Sequence, residues 1–426
     1  MNHHALLVDF GASRIKSALI RLDGGSVRSK YCSQGSSYLG PRVASTFFSD
    51  ALIEHLTHAS ATAKVAAIMI CCEMHGFARK NASDLTAHEY VSWRHSSENA
   101  SDIVSNLEAQ GFKSLTGMHP RNGLPAVTML ADYELRAGTL NGKETISFLP
   151  DEICRLLGHS NNVVHASLAH ASGLFTRCNE PLAAFGLDKF QWPNSTLDDL
   201  VEIGHVNFGG RNIPCFGGYG DLQVSVAGIK ADKSAWVINL GTGSQIISFV
   251  ETAVNAFELR QYFQDTPLYC VSHIPAGRAL NLWAKFFQEV KGETNPNYFW
   301  HMLNSVSLQI PPANLPTFDL AVFDGAFGYL NGGAISRINE NHFEPTHFFA
   351  GLLNSFLAQY LDFLRKVDPD MKRPISIAGN MATKIPNIKE WFDSSWNAPV
   401  TIQHGITDPT LSYMSELAVT GLGDRL

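Results

Sequence analysis

"DFGASRIKSALI", residues 9–20, decides how this chain folds. The apolar run Ala5–Val8 leads into Asp9. Gly11 and small residues follow, and Ile15–Ile20 turns apolar again. Strand, tight turn, strand predicts a β-hairpin with a glycine and small residues at its tip. The pattern returns far downstream in "NLGTGSQIISFV", residues 239–250, after the apolar run Ala235–Ile238. Superposing the two stretches sets Gly11 over Gly241 and Ser13 over Gly243. The interval is far longer than a solenoid unit, so a stacked array is excluded. The repeat predicts two related domains, each opening with a hairpin whose tip can present backbone N–H groups. The boundary falls near Lys230–Lys233.

Other elements extend this frame. Val65–Cys72 reads as a buried strand running into Glu73-Met74-His75-Gly76. Helical spacing of apolar residues marks 125–135 and 276–290, and 148–157 reads as a short helix entered through Pro150. The clearest helix is 345–367, where Phe348, Phe349, Leu352, Leu353, Phe356, Leu357, Tyr360, Leu361 and Leu364 recur every three or four residues. Thr346 is its expected cap, Arg365 and Lys366 sit in its last turn, and Pro369 follows. A strand over 374–378 breaks at Gly379-Asn380. Strands mixed with helices throughout predict an α/β fold.

Composition bounds the function. The 426 residues are 45% hydrophobic and 17% charged, enough for more than one core. The formal charge is -7 and no block of clustered Lys/Arg occurs, which argues against a nucleic-acid partner. Small anions stay open, because helix N-termini and backbone N–H groups bind them without net basic charge. The seven cysteines are odd in number and form no C-x-x-C pair, as expected of reduced cysteine in a cytoplasmic protein. No signal peptide or membrane span is expected. H-E-x-x-H is absent, and His165 and His170 have no obvious third ligand, so packing is their default role.

Asp9 stands beside glycine at the end of an apolar run, and Asp221 in "GYGDLQVSVAG", residues 218–228, stands beside glycine at the start of one. Such a carboxylate can hold Mg²⁺ through waters or accept a proton from a hydroxyl. Capping a turn or helix is the commoner role. The tips Gly11-Ala12-Ser13 and Gly241-Thr242-Gly243 suit anion contact, although neither is a Walker A loop. Met74 and His75 follow a buried strand, a usual place for ligand contacts, while a satisfied structural histidine is the commoner case. Trp93 offers a flat face to a sugar ring or belongs to the core. Lys16 is expected to face solvent or be paired.

Taken in order, Asp9-x-Gly11…Lys16, Met74-His75-Gly76, Ser92-Trp93, Gly220-Asp221 and Gly241-Thr242-Gly243 resemble the FGGY carbohydrate kinase family over nearly the whole chain. The segment Gly332–Ile338 before the long helix is more similar to its sedoheptulokinase-like branch. The resemblance implies two ribonuclease-H-like domains of the actin/Hsp70 type, 1–230 and 231–426, with an ATP cleft between them. It implies transfer of the γ-phosphoryl group of ATP, with Mg²⁺, to a hydroxyl of a sugar, a ketose or polyol being expected. Asp221 matches the catalytic base, and Asp9 and Asp221 the metal-associated carboxylates. Gly11, Ala12, Ser13, Gly241, Thr242 and Gly243 match the phosphate loops. Met74, His75, Trp93 and His95 fall at the sugar side, and Gly379, Asn380 and Met381 at the adenosine side. Sugar and ATP are the expected partners, without nucleic acid or membrane, and a homodimer is a family-level expectation.

The departures are specific. The family's W-x-D-x-R becomes Trp93-Arg94-His95-Ser96-Ser97, which keeps only the tryptophan. Ala12 stands where a threonine is common, Ala378-Gly379 replaces Gly-Gly, and the lysine expected soon after Pro125 is not evident. Catalysis reads as retained and acceptor identity as changed. The alternative is a catalytically weak or inactive nucleotide/sugar-sensing member of the same fold. A chaperone-type ATPase is disfavoured by the sugar-side elements and the lack of a peptide-binding extension. Asp221 is expected at a helix N-terminus, whose dipole favours the ionised carboxylate.

Overall fold

The computed structural model describes residues 3–80, 88–136, 144–241, 243–252, 255–295, 297–306, 314–323, 332–340, 343–379, 381–385, 387–403, 408–423 and 425. Two compact units divide the chain. One holds Met1–Lys230 with Glu258–Pro267 and Ile406–Leu426; the other holds Ala231–Phe257 with Leu268–Gly405. The segments 258–267 and 406–426, expected in a domain 231–426, therefore pack with the first unit.

The first unit is built on strands β1 (His4–Phe10), β2 (Arg14–Arg21), β3 (Val27–Gln34), β4 (Val65–Cys72), β5 (Gly158–Ser160), β6 (Glu202–Phe208) and β7 (Arg211–Gly220). They lie in the order β3-β2-β1-β4-β7-β6-β5. β1 pairs antiparallel with β2, and β2 with β3, whereas β1, β4 and β7 run parallel. Every residue of β1 is buried, and β4 is buried except at Ala66, as central strands covered on both faces require. A smaller five-stranded sheet, which includes Phe77–Lys80 and His88–Val91, also belongs to this unit.

The second unit repeats the scheme with β8 (Trp236–Leu240), β9 (Gly243–Ser248), β10 (Pro267–Pro275), β11 (Ile375–Ala378) and β12 (Val400–Ile402). β8 pairs antiparallel with β9, β9 antiparallel with β10, β8 parallel with β11, and β11 parallel with β12. Three antiparallel strands followed by two parallel ones is the ribonuclease-H-like arrangement, present in both units.

The helix Pro345–Val367 buries Phe349, Leu352, Leu353, Phe356, Leu357, Tyr360, Leu361 and Leu364 in the second core beside Ile238 and Leu240. Its N-cap is Glu344, without a side-chain cap bond, and not Thr346. Pro345 takes the first helical turn, where its missing N–H costs nothing, so Thr346 is already inside the helix.

Two buried histidines make the first unit acid-sensitive. His55 lies between the hydroxyls of Ser17 (Nδ1, 2.6 Å) and Ser33 (Nε2, 2.9 Å). Burial lowers its pKa to about 4, and burial lowers that of His170 to about 4 as well. An unfolded chain protonates these rings near pH 6.5, so their contribution to stability is lost as pH falls from about 6.5 towards 4. A His55→Gln variant is therefore expected to lose less thermal stability than the parent between pH 6.5 and 4.5, read as the difference in melting temperature; a parallel pH dependence would contradict this.

Candidate active site

Strand register builds the site in the first unit. Phe10 pairs with Cys72, and Cys72 with Gly220, so the parallel strands β1, β4 and β7 end level with one another. Asp9, Glu73 and Asp221 lie within one residue of that level, at the carboxyl edge where α/β sheets place ligand chemistry. β7 reaches it through an irregularity between Gly217 and Tyr219, with φ of 106° at Gly217 and 71° at Gly218. Only glycine takes these angles freely. The two glycines bulge the strand, and the helix Asp221–Ile229 starts directly after it.

The carboxyl groups are compensated unequally. Asp9 is buried, with Oδ2 3.1 Å from Lys16 Nζ, and Oδ1 accepts from Cys71 Sγ at 3.4 Å. Burial raises its pKa against the pull of Lys16. Lys16 also donates to Asp408 Oδ2 at 2.9 Å, and Asp408 caps the helix Pro409–Leu422 through the Leu411 N–H at 3.2 Å. Burial works against the Lys16 ammonium, but Asp9 and Asp408 outweigh it and raise its pKa, so Lys16 is paired as expected. Glu73 accepts from the Tyr90 hydroxyl at 3.0 Å and the Trp93 indole N–H at 3.1 Å, and burial raises its pKa.

Asp221 is half-buried, and its Oδ1 accepts from the Leu222 N–H at 2.9 Å. Burial first, then the charges of Asp9 and Glu73, push its pKa up to about 7. The expectation that the helix terminus holds it ionised is corrected: desolvation and two neighbouring carboxyl groups outweigh one short helix.

The residues expected at the sugar side are held as follows. Met74 packs on Gly220, where a Cβ would meet its Sδ at 2.9 Å. His75 has a φ of 61°, unusual for a residue with a side chain. Its Nδ1 donates to the Ala171 carbonyl at 2.6 Å and its Nε2 accepts from Arg121 at 3.3 Å, the pattern of a neutral ring protonated on Nδ1. Gly76 lies directly under the Tyr90 hydroxyl. His95 Nε2 stands 3.7 Å from Asp132 Oδ1, which also accepts from Ser97 Oγ at 2.9 Å, and Arg79 donates to Asp132 Oδ2 at 2.7 Å. His95 and Ser97 thus share one buried carboxylate.

The first hairpin tip is tied to its neighbour: Ala12 O accepts from Ser37 N–H at 2.9 Å and Ser13 O from Gly35 N–H at 3.0 Å. In the second unit Gly241 O accepts from Gly277 N–H at 3.2 Å, at the start of the helix Gly277–Lys291. A Cβ on Gly243 would meet open space. Gly379, at φ 98°, presses on the Leu240 carbonyl, which accepts from Met381 N–H at 3.1 Å. The Met381 side chain is buried in the core. Gly241, Gly243, Gly379 and Met381 are thus brought together, while Thr242 and Asn380 lie outside the described residues.

Sequence reasoning missed Glu73, Arg121, Asp132, Glu258 and Arg260. A charged residue directly after a buried strand was a usable signal for Glu73. The others meet partners up to 186 positions away, beyond any local pattern.

No protein-family profile matches the sequence, and no curated protein matches it. Solved structures do. A xylulose kinase from Rhodospirillum rubrum superposes with a TM-score of 0.76 at 16% identity, covering 100% of this chain and 91% of that one. A gluconate kinase from Lactobacillus acidophilus gives 0.74 at 15%, covering 99% and 90%. The Plasmodium falciparum glycerol kinase with ADP gives 0.70 at 12%, covering 98% and 90%. The chain has the fold of these sugar kinases.

Gly76→Ala is expected to force Tyr90 away from Glu73, at a cost of about 1–3 kcal/mol, seen as a lower melting temperature. Adding Tyr90→Phe should recover part of the loss; an unaffected Gly76→Ala variant would contradict this packing.

Proposed function

We propose that this protein is a sugar kinase that transfers the γ-phosphoryl group of ATP to a hydroxyl of a sugar or polyol, with Asp221 as general base. The observation that carries the reading is the meeting of Asp9, Glu73 and Asp221 at one strand edge in a chain with this fold. The structural neighbours are named for xylulose, gluconate and glycerol, all polyhydroxylated acceptors.

Phosphoryl transfer asks mainly for positioning and charge stabilisation. A carboxyl group with a pKa of about 7 exchanges a proton readily at neutral pH, which suits a base. Asp221 would orient the acceptor hydroxyl and take its proton as the new bond forms. Met74, His75, Trp93 and His95 would hold the acceptor. Glycines at 11, 241 and 243 would let backbone N–H groups approach phosphate oxygens, and Gly379 with its neighbours would take the adenosine side.

Mg²⁺ fits this residue set. Asp9 raises the pKa of Asp221, a repulsion that a divalent cation relieves. Among the described residues no group of three or more His, Cys, Asp or Glu forms a metal cage. Mg²⁺ characteristically uses one or two carboxylates, several waters and substrate phosphates, so no cage is needed. Asp9 and Asp221 would hold it, and when bound it supplies charge neutralisation for the phosphates. Among the described residues no helix is long and apolar enough to cross a membrane. We place the protein in the cytoplasm.

The test is ADP release with ATP and Mg²⁺ over a panel of ketoses, polyols, aldoses and sugar acids. Asp221→Asn should lower acceptor-dependent release by about 10²–10⁴-fold. A raised folded pKa means the Asp221 contribution to stability is lost as pH rises through about 7. The same variant should therefore melt no lower than the parent at pH 8 without divalent cation. Acceptor-dependent release unchanged in Asp221→Asn would refute the assignment.

A further inference from the structure

Asp221 follows a stretch of chain that glycine leaves soft. Gly217, Gly218 and Gly220 precede it, the first two at positive φ, and none has a side chain to lock the backbone. A general base must still be held to a fraction of an ångström, because a displacement of about 1 Å costs on the order of a hundredfold in rate. A residue outside the bulge has to supply that restraint.

Ser167 supplies it on both sides of the base. It lies in the short helix Ala166–Ala169 and is fully buried. Its Oγ accepts from the Gly220 N–H at 3.1 Å, one residue before Asp221. Its carbonyl accepts from Gln223 Nε2 at 3.0 Å, two residues after Asp221. Gln223 is fully buried as well, and its Nε2 makes a second bond, to the Gln261 carbonyl at 3.2 Å.

The hydroxyl is itself oriented. An oxygen that accepts from Gly220 sends its own proton elsewhere, and His165 Nδ1 is 2.8 Å away. The Ser167 N–H reaches the same nitrogen at 3.2 Å. Nδ1 is therefore the acceptor, and the ring proton sits on Nε2, which faces Asp199 Oδ1 at 3.5 Å. The buried ring stacks on Phe263, with centroids 5.1 Å apart and planes inclined by 18°. Asp199 is fixed in turn: Oδ1 accepts from the Gln264 N–H at 3.0 Å, and its carbonyl accepts from the hydroxyl of Tyr219, the neighbour of Gly220. His165 does more than the packing expected of it.

Resting on the kinase reading above, we propose that Ser167, oriented by His165, is a positioning residue for Asp221. It pins the backbone before and after the base, so that the carboxylate meets the acceptor hydroxyl at one place. Ser167 is fully buried and acts through the backbone, so its loss lowers the rate of transfer and spares binding.

The test reads kcat and KM with saturating ATP and Mg²⁺, using the best acceptor of the ketose, polyol, aldose and sugar-acid panel. Beside it runs hydrogen exchange of the Gly220 amide, resolved by overlapping peptides. Ser167→Ala should lower kcat about 10–100-fold, keep the acceptor KM within about threefold, and speed Gly220 exchange. Ser167→Thr, which keeps the hydroxyl, should recover most of the rate. His165→Leu should lower kcat too, and His165→Asn, whose amide oxygen can accept the same two bonds, should recover part of it. Unchanged kcat in Ser167→Ala, a change confined to KM, or an equal loss in Ser167→Thr overturns the proposal. So does fast Gly220 exchange in the parent protein, a result that needs no variant to fold. If Ser167→Ala does not fold, the two His165 variants decide, and equal kcat in both overturns the proposal. The two readings fail separately. No transfer by the parent, with Gly220 exchange that depends on Ser167, sinks the kinase reading alone. Transfer that ignores Ser167 sinks this proposal alone.

Discussion

Asp9, Glu73 and Asp221 leave three adjacent parallel strands at one level, and a charge there must be balanced from nearby. The strand register compels the meeting, because β1, β4 and β7 are central, buried and parallel. Bringing like charges out of water raises the free energy of their ionised forms, and all three carboxyl pKa values move upward. Much of the first unit can be understood as the response. Lys16, on the strand that completes the first hairpin, bridges Asp9 to Asp408. Tyr90 and Trp93 satisfy Glu73. Asp221 accepts from the Leu222 N–H, and its pKa is pushed up to about 7.

The unit also relies on chain that returns to it. Glu258, Arg260 and Asp408 come from segments separated in sequence from residues 1–230, yet they fix Arg121, contact Met74 and anchor Lys16. The acidic edge and the Arg121–Glu258–Arg260 cluster each depend on a returning segment.

Much of this was legible in the sequence, for local reasons. Both hairpins, the buried strand Val65–Cys72 and the long helix Pro345–Val367 are short-range patterns of apolar period and turn residues, and they fold where those patterns predict. The repeat of the hairpin foretold the repeat of the sheet. What was illegible depends on distance. Nothing local to Arg121 announces Glu258, and Ser97 gives no hint that it meets His95 at Asp132. The pKa of Asp221 was misjudged because the helix behind it is visible in sequence, whereas the carboxyl groups beside it come from two other strands. Thr346 failed as a cap because proline took the helix start.

The central claim is that Asp221 accepts a proton while a phosphoryl group moves from ATP to an acceptor hydroxyl. The most direct measurement follows ATP labelled in its γ-phosphate, incubated with Mg²⁺ and acceptor, and asks where the label goes. The account predicts label in an organic phosphate ester, formed by the parent protein and lost in Asp221→Asn. Label found only in inorganic phosphate, or an ester formed equally well without the Asp221 carboxylate, would contradict it.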